Sequence, residues 1–243
     1  MADVKKIVKN KYASIATKPV GGCECSCSDR KSVSKEIGYT AEQLQMAGDA
    51  DMGLGCGNPT AFSRIQSGDT VVDLGSGAGI DCFLAAKKVG PNGRVIGIDF
   101  TEEMIERANA NALKGHHTNV EFKIGDIEAL PLPDNTANII ISNCVINLAA
   151  NKLKVFQEAY RVLKPHGRIC VSDIVLLQEL THEQRANEEL IAGCVAGALL
   201  KDDYIEVMKK AGFKVTILSE NKDISKQQYQ GIPLESLMVE GVK

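Results

Sequence analysis

Beyond residue 69 the chain alternates between short runs of branched apolar residues and longer stretches with helical period. TVVDL (70–74), RVIGIDF (94–100), VEFKIGD (120–126), ANIIISN (137–143) and GRICVSD (167–173) read as five successive strands. IIISNCVINL (139–148) has the unbroken apolar character of a strand covered on both faces, running out into a loop at Cys144. A helix is expected from the glycine loop through about residue 89. Thr101 stands where it can cap a second, EEMIERANANALK, with Met104, Ile105, Ala108 and Ala112 on the packed face. Residues 151–163 predict another helix, 181–200 read as helical despite two glycines, and 201–211 form a helix ending at Gly212. FKVTILSE and SLMVEGV read as a closing antiparallel pair.

Ahead of this region the pattern loosens. Val4, Ile7, Val8, Tyr12 and Ile15 predict an amphipathic helix over 4–16, and Thr40 caps a short one over 40–46. PVGGCECSCSDR (19–30) and GDADMGLGCGNPT (48–60) have turn chemistry. The expected architecture is α/β: a doubly wound, mostly parallel seven-stranded Rossmann-like sheet with a C-terminal antiparallel strand pair. Residues 61–243 form this domain, with a helical cap around 174–200. Residues 1–60 supply a helix and cysteine-bearing loops that fold over its ligand edge.

Composition narrows the function classes. The 243 residues are 44% hydrophobic and 24% charged, with net charge −3, so no strong field draws the chain to nucleic acid or anionic lipid. No run approaches the roughly 20 apolar residues of a membrane span. MADVKKIVKNKY lacks the apolar core of a secretory signal. A soluble cytoplasmic protein is expected. In that compartment eight cysteines point to thiols kept reduced for ligation or redox work, not to a disulfide framework.

VVDLGSGAGID (71–81) places Gly75, Gly77 and Gly79 directly after the first strand, where backbone can approach a ligand and expose a helix N-terminus. Folds that bind NAD use a similar loop, but the third glycine of the dinucleotide fingerprint is missing. Asp99 closes the second strand, where an acid can hold ribose hydroxyls. Asp126 ends the third. With LKPHGRICVSD (163–173), this ordered set resembles the class I S-adenosylmethionine-dependent methyltransferases across residues 69–243. The resemblance implies that Asp73, Gly75, Ser76 and Gly77 line the methionine end of the cofactor. It also implies that Asp99 holds the ribose and that Asp126 and Ile127 meet the adenine. Asn143 ends the fourth strand, where it can contact substrate or cofactor, or satisfy loop backbone. Tyr12 either covers the cofactor or packs.

Three cysteines have distinctive surroundings: Cys56 in GLGCGNP, Cys144 in SNCVINL and Cys194 in AGCVAGAL. None is near another in sequence, so this is no local zinc knuckle, and their meeting requires the fold. These blocks, with DLGSGAGIDCFLAA and EAYRVLKP, resemble the arsenite methyltransferase family in its short bacterial and archaeal form. The resemblance implies that Cys56, Cys144 and Cys194 bind trivalent arsenic beside the methyl group of S-adenosylmethionine. It further implies that an N-terminal thiol, Cys27 or its neighbours Cys23 and Cys25 in CECSC, joins during thiol exchange. The substrate would be arsenite or an arsenic–thiol conjugate, and a glutathione- or thioredoxin-type reductant would recycle the thiols.

The chemistry suits the residue types. Trivalent arsenic is soft, and soft sites are built from thiolates. Its lone pair is the nucleophile, so no general base is needed, and holding the reacting atoms at near-attack distance supplies roughly 7–11 kcal/mol of the barrier. His116, His117 and His166 precede strands, away from the ligand edge, and His182 sits at a helix start. Cys82 and Cys170 read as packing. Two other readings stay open here. One is a methyltransferase of a small organic metabolite with structural cysteines, and the other a metal-sequestering protein acting through CECSC.

Overall fold

The computed structural model describes residues 4–17, 30–223 and 231–243. Cys23, Cys25 and Cys27 lie outside the described residues. Seven strands form one sheet among them: β1 (Thr70–Leu74), β2 (Arg94–Asp99), β3 (Val120–Ile124), β4 (Ala137–Asn143), β5 (Leu163–Leu176), β6 (Lys214–Asn221) and β7 (Leu234–Val242). Their order is β3-β2-β1-β4-β5-β7-β6. The first five run parallel, and β7 is antiparallel to both β5 and β6. This is the doubly wound sheet and closing strand pair that the sequence predicts.

The helices are α1 (Val4–Thr17), α2 (Arg30–Glu36), α3 (Ala41–Ala47), α4 (Pro59–Phe62), α5 (Ile80–Val89), α6 (Glu102–Lys114), α7 (Lys152–Val162), α8 (His182–Ala186), α9 (Glu188–Ala192) and α10 (Lys201–Lys210). None is long and apolar enough to cross a membrane. The unbroken apolar strands are explained by cover on both faces, because side chains alternate between faces along a strand. Val71, Ile139 and Ile141 pack with Cys82, Ala85, Ala86 and Val89 of α5. Val72, Leu74 and Ile140 join Val155, Phe156 and Ala159 of α7 and Tyr204 and Met208 of α10. Cys82 and Cys170 are buried in the first of these layers, as expected.

Three local expectations change. Residues 181–200 do not form one helix. The Asn187 side chain accepts hydrogen bonds from the backbone N–H groups of Glu189 and Leu190 and so starts a second helix, which ends at Gly193. β5 begins at Leu163 rather than 167, with a register irregularity against β4, and runs on to Leu176 because Leu234 of β7 pairs there. Thr101 occupies the N-cap position of α6 but makes no capping bond; the Asp99 carboxylate accepts the Thr101 N–H instead, at 2.9 Å. Thr40 behaves as predicted, in a reciprocal capping box with Gln43.

Chain order reverses between β1 and β4, which defines the switch point of the sheet. Leu74 is level with both Ile98 and Ser142 in the ladder. Gly75, Asp99 and Asn143 therefore emerge side by side at the carboxyl edge.

Candidate active site

A crevice opens at this edge, the usual place for a ligand in an open α/β sheet. A smaller chamber continues from it, and the two share Val8, Gly75, Asp99, Phe100, Val145 and Leu148. Asp73, Gly75, Ser76, Gly77, Asp99, Asn143 and Cys144 line the larger space. Asp126 and Ile127 line the smaller. Gly75 adopts φ +70°, and a Cβ there would lie 2.4 Å from the Val145 side chain, so the turn admits only glycine. Gly77, at φ +51°, donates its N–H to Asp99 Oδ2 at 3.0 Å. The loop and the end of β2 are thus tied across the crevice.

The wall is acidic and its acids are buried. Asp73 and Asp81 are buried, and neither has a salt bridge among the described residues. Burial pushes the Asp81 carboxyl up to about 6, against the hydrogen bonds that Asn143 and Tyr39 donate to it. Burial and then the Asp81 charge raise Asp73 well above the usual carboxylate range. Two further polar atoms, Ser76 Oγ and Thr101 Oγ1, are buried on this wall without a hydrogen-bond partner among the described residues. Paired acids facing a cavity suit a cationic ligand, and orphaned hydroxyls suit one with its own donors and acceptors.

The N-terminal segment closes the crevice from above. Val8 is buried against it and Tyr12 lines it, with the Tyr12 hydroxyl 3.4 Å from the carbonyl of Ala192. Lys5 Nζ pairs with Asp126 at 2.6 Å and Glu128 at 3.5 Å.

At the inner end three thiols from distant segments meet. Cys56 comes from the loop before α4, Cys144 from the first residue after β4, and Cys194 from the turn after α9. All three are buried and unpaired by disulfides. Hydrogen bonding of its S–H toward the Cys194 and Cys56 sulfurs, together with burial, holds the Cys144 pKa well above the ordinary thiol range. Burial does the same, less strongly, for Cys56. Cys194 Sγ also lies 2.7 Å from the Cys144 carbonyl oxygen. Cys144 and Cys194 both sit in the left-handed backbone region, at φ +57° and +66°. That conformation costs a non-glycine residue about 1 kcal/mol or more and is concentrated at functional sites.

Asn143 sets the Cys56 loop in place. Its Oδ1 accepts the Cys56 N–H at 3.1 Å, and its Nδ2 lies 2.8 Å from the Gly57 carbonyl, 2.9 Å from the Tyr39 hydroxyl and 3.1 Å from Asp81 Oδ2. Its polar atoms are therefore engaged with loop backbone and buried neighbours.

Three residues at this site went unremarked in the sequence. Tyr39 and Asp81 support Asn143. Asp173 is more notable: one of its carboxylate oxygens and the sulfurs of Cys56 and Cys144 all lie within 4.8 Å of one another. Burial pushes its carboxyl up to about 7, opposed by the Tyr204 hydroxyl at 3.0 Å. A carboxylate at the exit of a buried strand, one residue past the register of Asn143, was the available signal.

The chain is similar to known methyltransferases. Residues 65–212 match the model of a methyltransferase domain. The arsenite methyltransferase of Halobacterium salinarum is 45% identical over 226 residues, spanning 87% of this chain and 58% of that protein. That of Aquipseudomonas alcaligenes is 35% identical over 225 residues, spanning 90% of this chain and 64% of its own length. The chain thus spans about three fifths of these curated relatives. Among solved structures, CrArsM, an arsenic(III) S-adenosylmethionine methyltransferase from Chlamydomonas reinhardtii, superposes with a TM-score of 0.69 at 31% identity. The match covers 87% of this chain and 73% of that one. The chain belongs to the methyltransferases that carry this domain and, within them, to the arsenite methyltransferase family.

Proposed function

We propose that this protein transfers a methyl group from S-adenosylmethionine to trivalent arsenic held by the thiolates of Cys56, Cys144 and Cys194. The observation that carries the reading is the position of Cys144. It lines the crevice, its sulfur lies within 4.8 Å of the Cys56 sulfur, and its carbonyl oxygen lies 2.7 Å from Cys194 Sγ. A metalloid on these sulfurs would therefore sit at the inner wall of the cofactor space.

The crevice fits the cofactor. Asp73 and Asp81 would face the methionine ammonium, Asp99 the ribose hydroxyls, and Asp126 with Ile127 the adenine. Ser76 Oγ and Thr101 Oγ1 are open for further hydrogen bonds. When bound, S-adenosylmethionine supplies an electrophilic sulfonium methyl carbon to the arsenic lone pair. The protein loads the metalloid by exchange: three S–H and three As–OH bonds become three As–S bonds and three waters. No base is then needed at the attacking atom. The strained backbone at Cys144 and Cys194 fixes the sulfurs before the substrate arrives, which is where positional catalysis draws its advantage. A thiol partner of glutathione or thioredoxin type would return the cysteines to the reduced state, with Cys27 of the CECSC segment as an exchange thiol.

The test is a reaction of purified protein with S-adenosylmethionine, arsenite and a thiol, followed by arsenic speciation. Methylated arsenic from the wild type and none from Cys144→Ser supports the reading. Equal product from both would overturn it.

A further inference from the structure

The inner corner holds a fourth ligand that trivalent arsenic, with three sulfurs and a lone pair, does not use. We propose that Cys56, Cys144 and Asp173 form a site for a single divalent thiophilic cation, Zn²⁺ or its heavier congener Cd²⁺. The proposal stands independently of the arsenic reading, although the two ligands share sulfurs.

Two thiol sulfurs and a carboxylate oxygen lie within 4.8 Å of one another, and all three residues are buried. Tetrahedral zinc takes sulfur at about 2.3 Å and carboxylate oxygen at about 2.0–2.2 Å, which sets ligand atoms about 3.8 Å apart or less. Modest rotations about the cysteine side chains close that gap. Asp173 is already aimed. Asn147 Nδ2 donates to Oδ1 at 2.9 Å, the Ile174 N–H donates to the same oxygen at 3.1 Å, and Tyr204 donates to Oδ2. Outer donors that orient a ligating carboxylate are a regular feature of protein metal sites. Asp173 forms no salt bridge among the described residues; the Lys152 charge acts on it only from beyond ion-pair distance.

Loading breaks two S–H bonds, and both protons pass to solvent. The fourth coordination position falls to water or to the Cys194 sulfur. Asp173 separates the two chemistries: it adds a hard oxygen that suits a four-coordinate divalent ion and offers nothing to a trigonal metalloid bearing a lone pair. A divalent ion bound here occupies two of the three arsenic sulfurs and shuts the enzyme competitively.

Co²⁺ is the probe, because thiolate-to-cobalt charge transfer reports the sulfur ligands directly. The full chain is used with Cys23, Cys25 and Cys27 replaced by Ser, so that the N-terminal thiols cannot take the ion. The expected result is one equivalent of cobalt with a near-ultraviolet charge-transfer band and four-coordinate visible absorption. Both signals are lost in Cys56→Ser and Cys144→Ser. Asp173→Asn weakens cobalt binding by at least about tenfold while leaving arsenite affinity unchanged. Absence of the band at one equivalent overturns the site, as does its persistence in Cys144→Ser. Wild-type cobalt affinity in a folded Asp173→Asn, verified by circular dichroism, removes Asp173 from it. Should Asp173→Asn not fold, the two isosteric serine variants decide. Cobalt held on these thiolates but not released by arsenite counts against the arsenic reading and leaves the metal site standing.

Discussion

The two ends of the crevice solve the problem of burying reactive groups in opposite ways. The glycine end is assembled from one continuous stretch: β1, its loop and the start of α5 bring Asp73, Gly75, Ser76, Gly77 and Asp81 together within nine residues. It buries acids, and desolvation raises their pKa values, offset for Asp81 only in part by the Asn143 and Tyr39 hydrogen bonds and the Lys88 charge. The thiol end is assembled from residues 56, 144 and 194, which only the finished fold can unite. It buries neutral thiols, which cost little to dehydrate, and stores its strain in backbone dihedrals. One end is thus prepared for a cation, the other for a soft centre that replaces protons.

The largest effect should come from the thiol end. Cys144→Ser should lower arsenite turnover by at least about 10²-fold, because the reacting centre loses its position. Adding Cys194→Ser should change little more, since members of one unit are not additive. Cofactor affinity by calorimetry should be unaffected in both variants. If it falls in parallel with turnover, the two ends are not separate.

Next in size is the converse change. Asp99→Ala removes a buried carboxylate that accepts hydrogen bonds from Gly77 and Thr101. Cofactor Kd should rise by about 10²-fold, the scale of a lost charge-assisted hydrogen bond and its disturbed loop. Arsenite binding without cofactor should stay at the wild-type level, which intrinsic-fluorescence quenching or equilibrium dialysis can check.

Acid should weaken cofactor binding at the glycine end. A bound cation favours the ionised forms of Asp73 and Asp81, whose pKa values are raised in the free protein, Asp81 to about 6. Binding then expels a proton. Cofactor affinity should fall as pH drops below about 6, approaching tenfold per unit for one coupled proton. Calorimetry between pH 5 and 7.5 gives the slope, and a flat profile would contradict the role given to these acids.

Lys5→Ala should have the smallest effect. Lys5 and Asp126 are both nearly half exposed, and such pairs are worth at most about 1 kcal/mol. Cofactor affinity should change by less than about fivefold, and the difference should vanish in high salt.

The contrast between the two ends also explains what the sequence made legible. Strands, the mostly parallel sheet and the glycine loop follow from periodicity and from residues adjacent in the chain. Cys144 was visible because a polarizable residue closed an apolar strand. Its backbone conformation was not, since nothing local to SNCVINL demands φ +57°. The split of 181–200 turned on Asn187, whose capping bonds outweigh the helical period around it. Thr101 makes no capping bond, and its own N–H is held by the carboxylate two residues earlier. Asp173 escaped notice because its partners, Cys56, Asn147 and Tyr204, arrive from elsewhere in the chain.

The most direct measurement is arsenic X-ray absorption on the chain with Cys23, Cys25 and Cys27 replaced by Ser, loaded with one equivalent of arsenite and no added thiol. Three sulfur neighbours and no oxygen are predicted, falling to two sulfurs in Cys144→Ser. A sulfur count that ignores this substitution would mean the metalloid is held elsewhere.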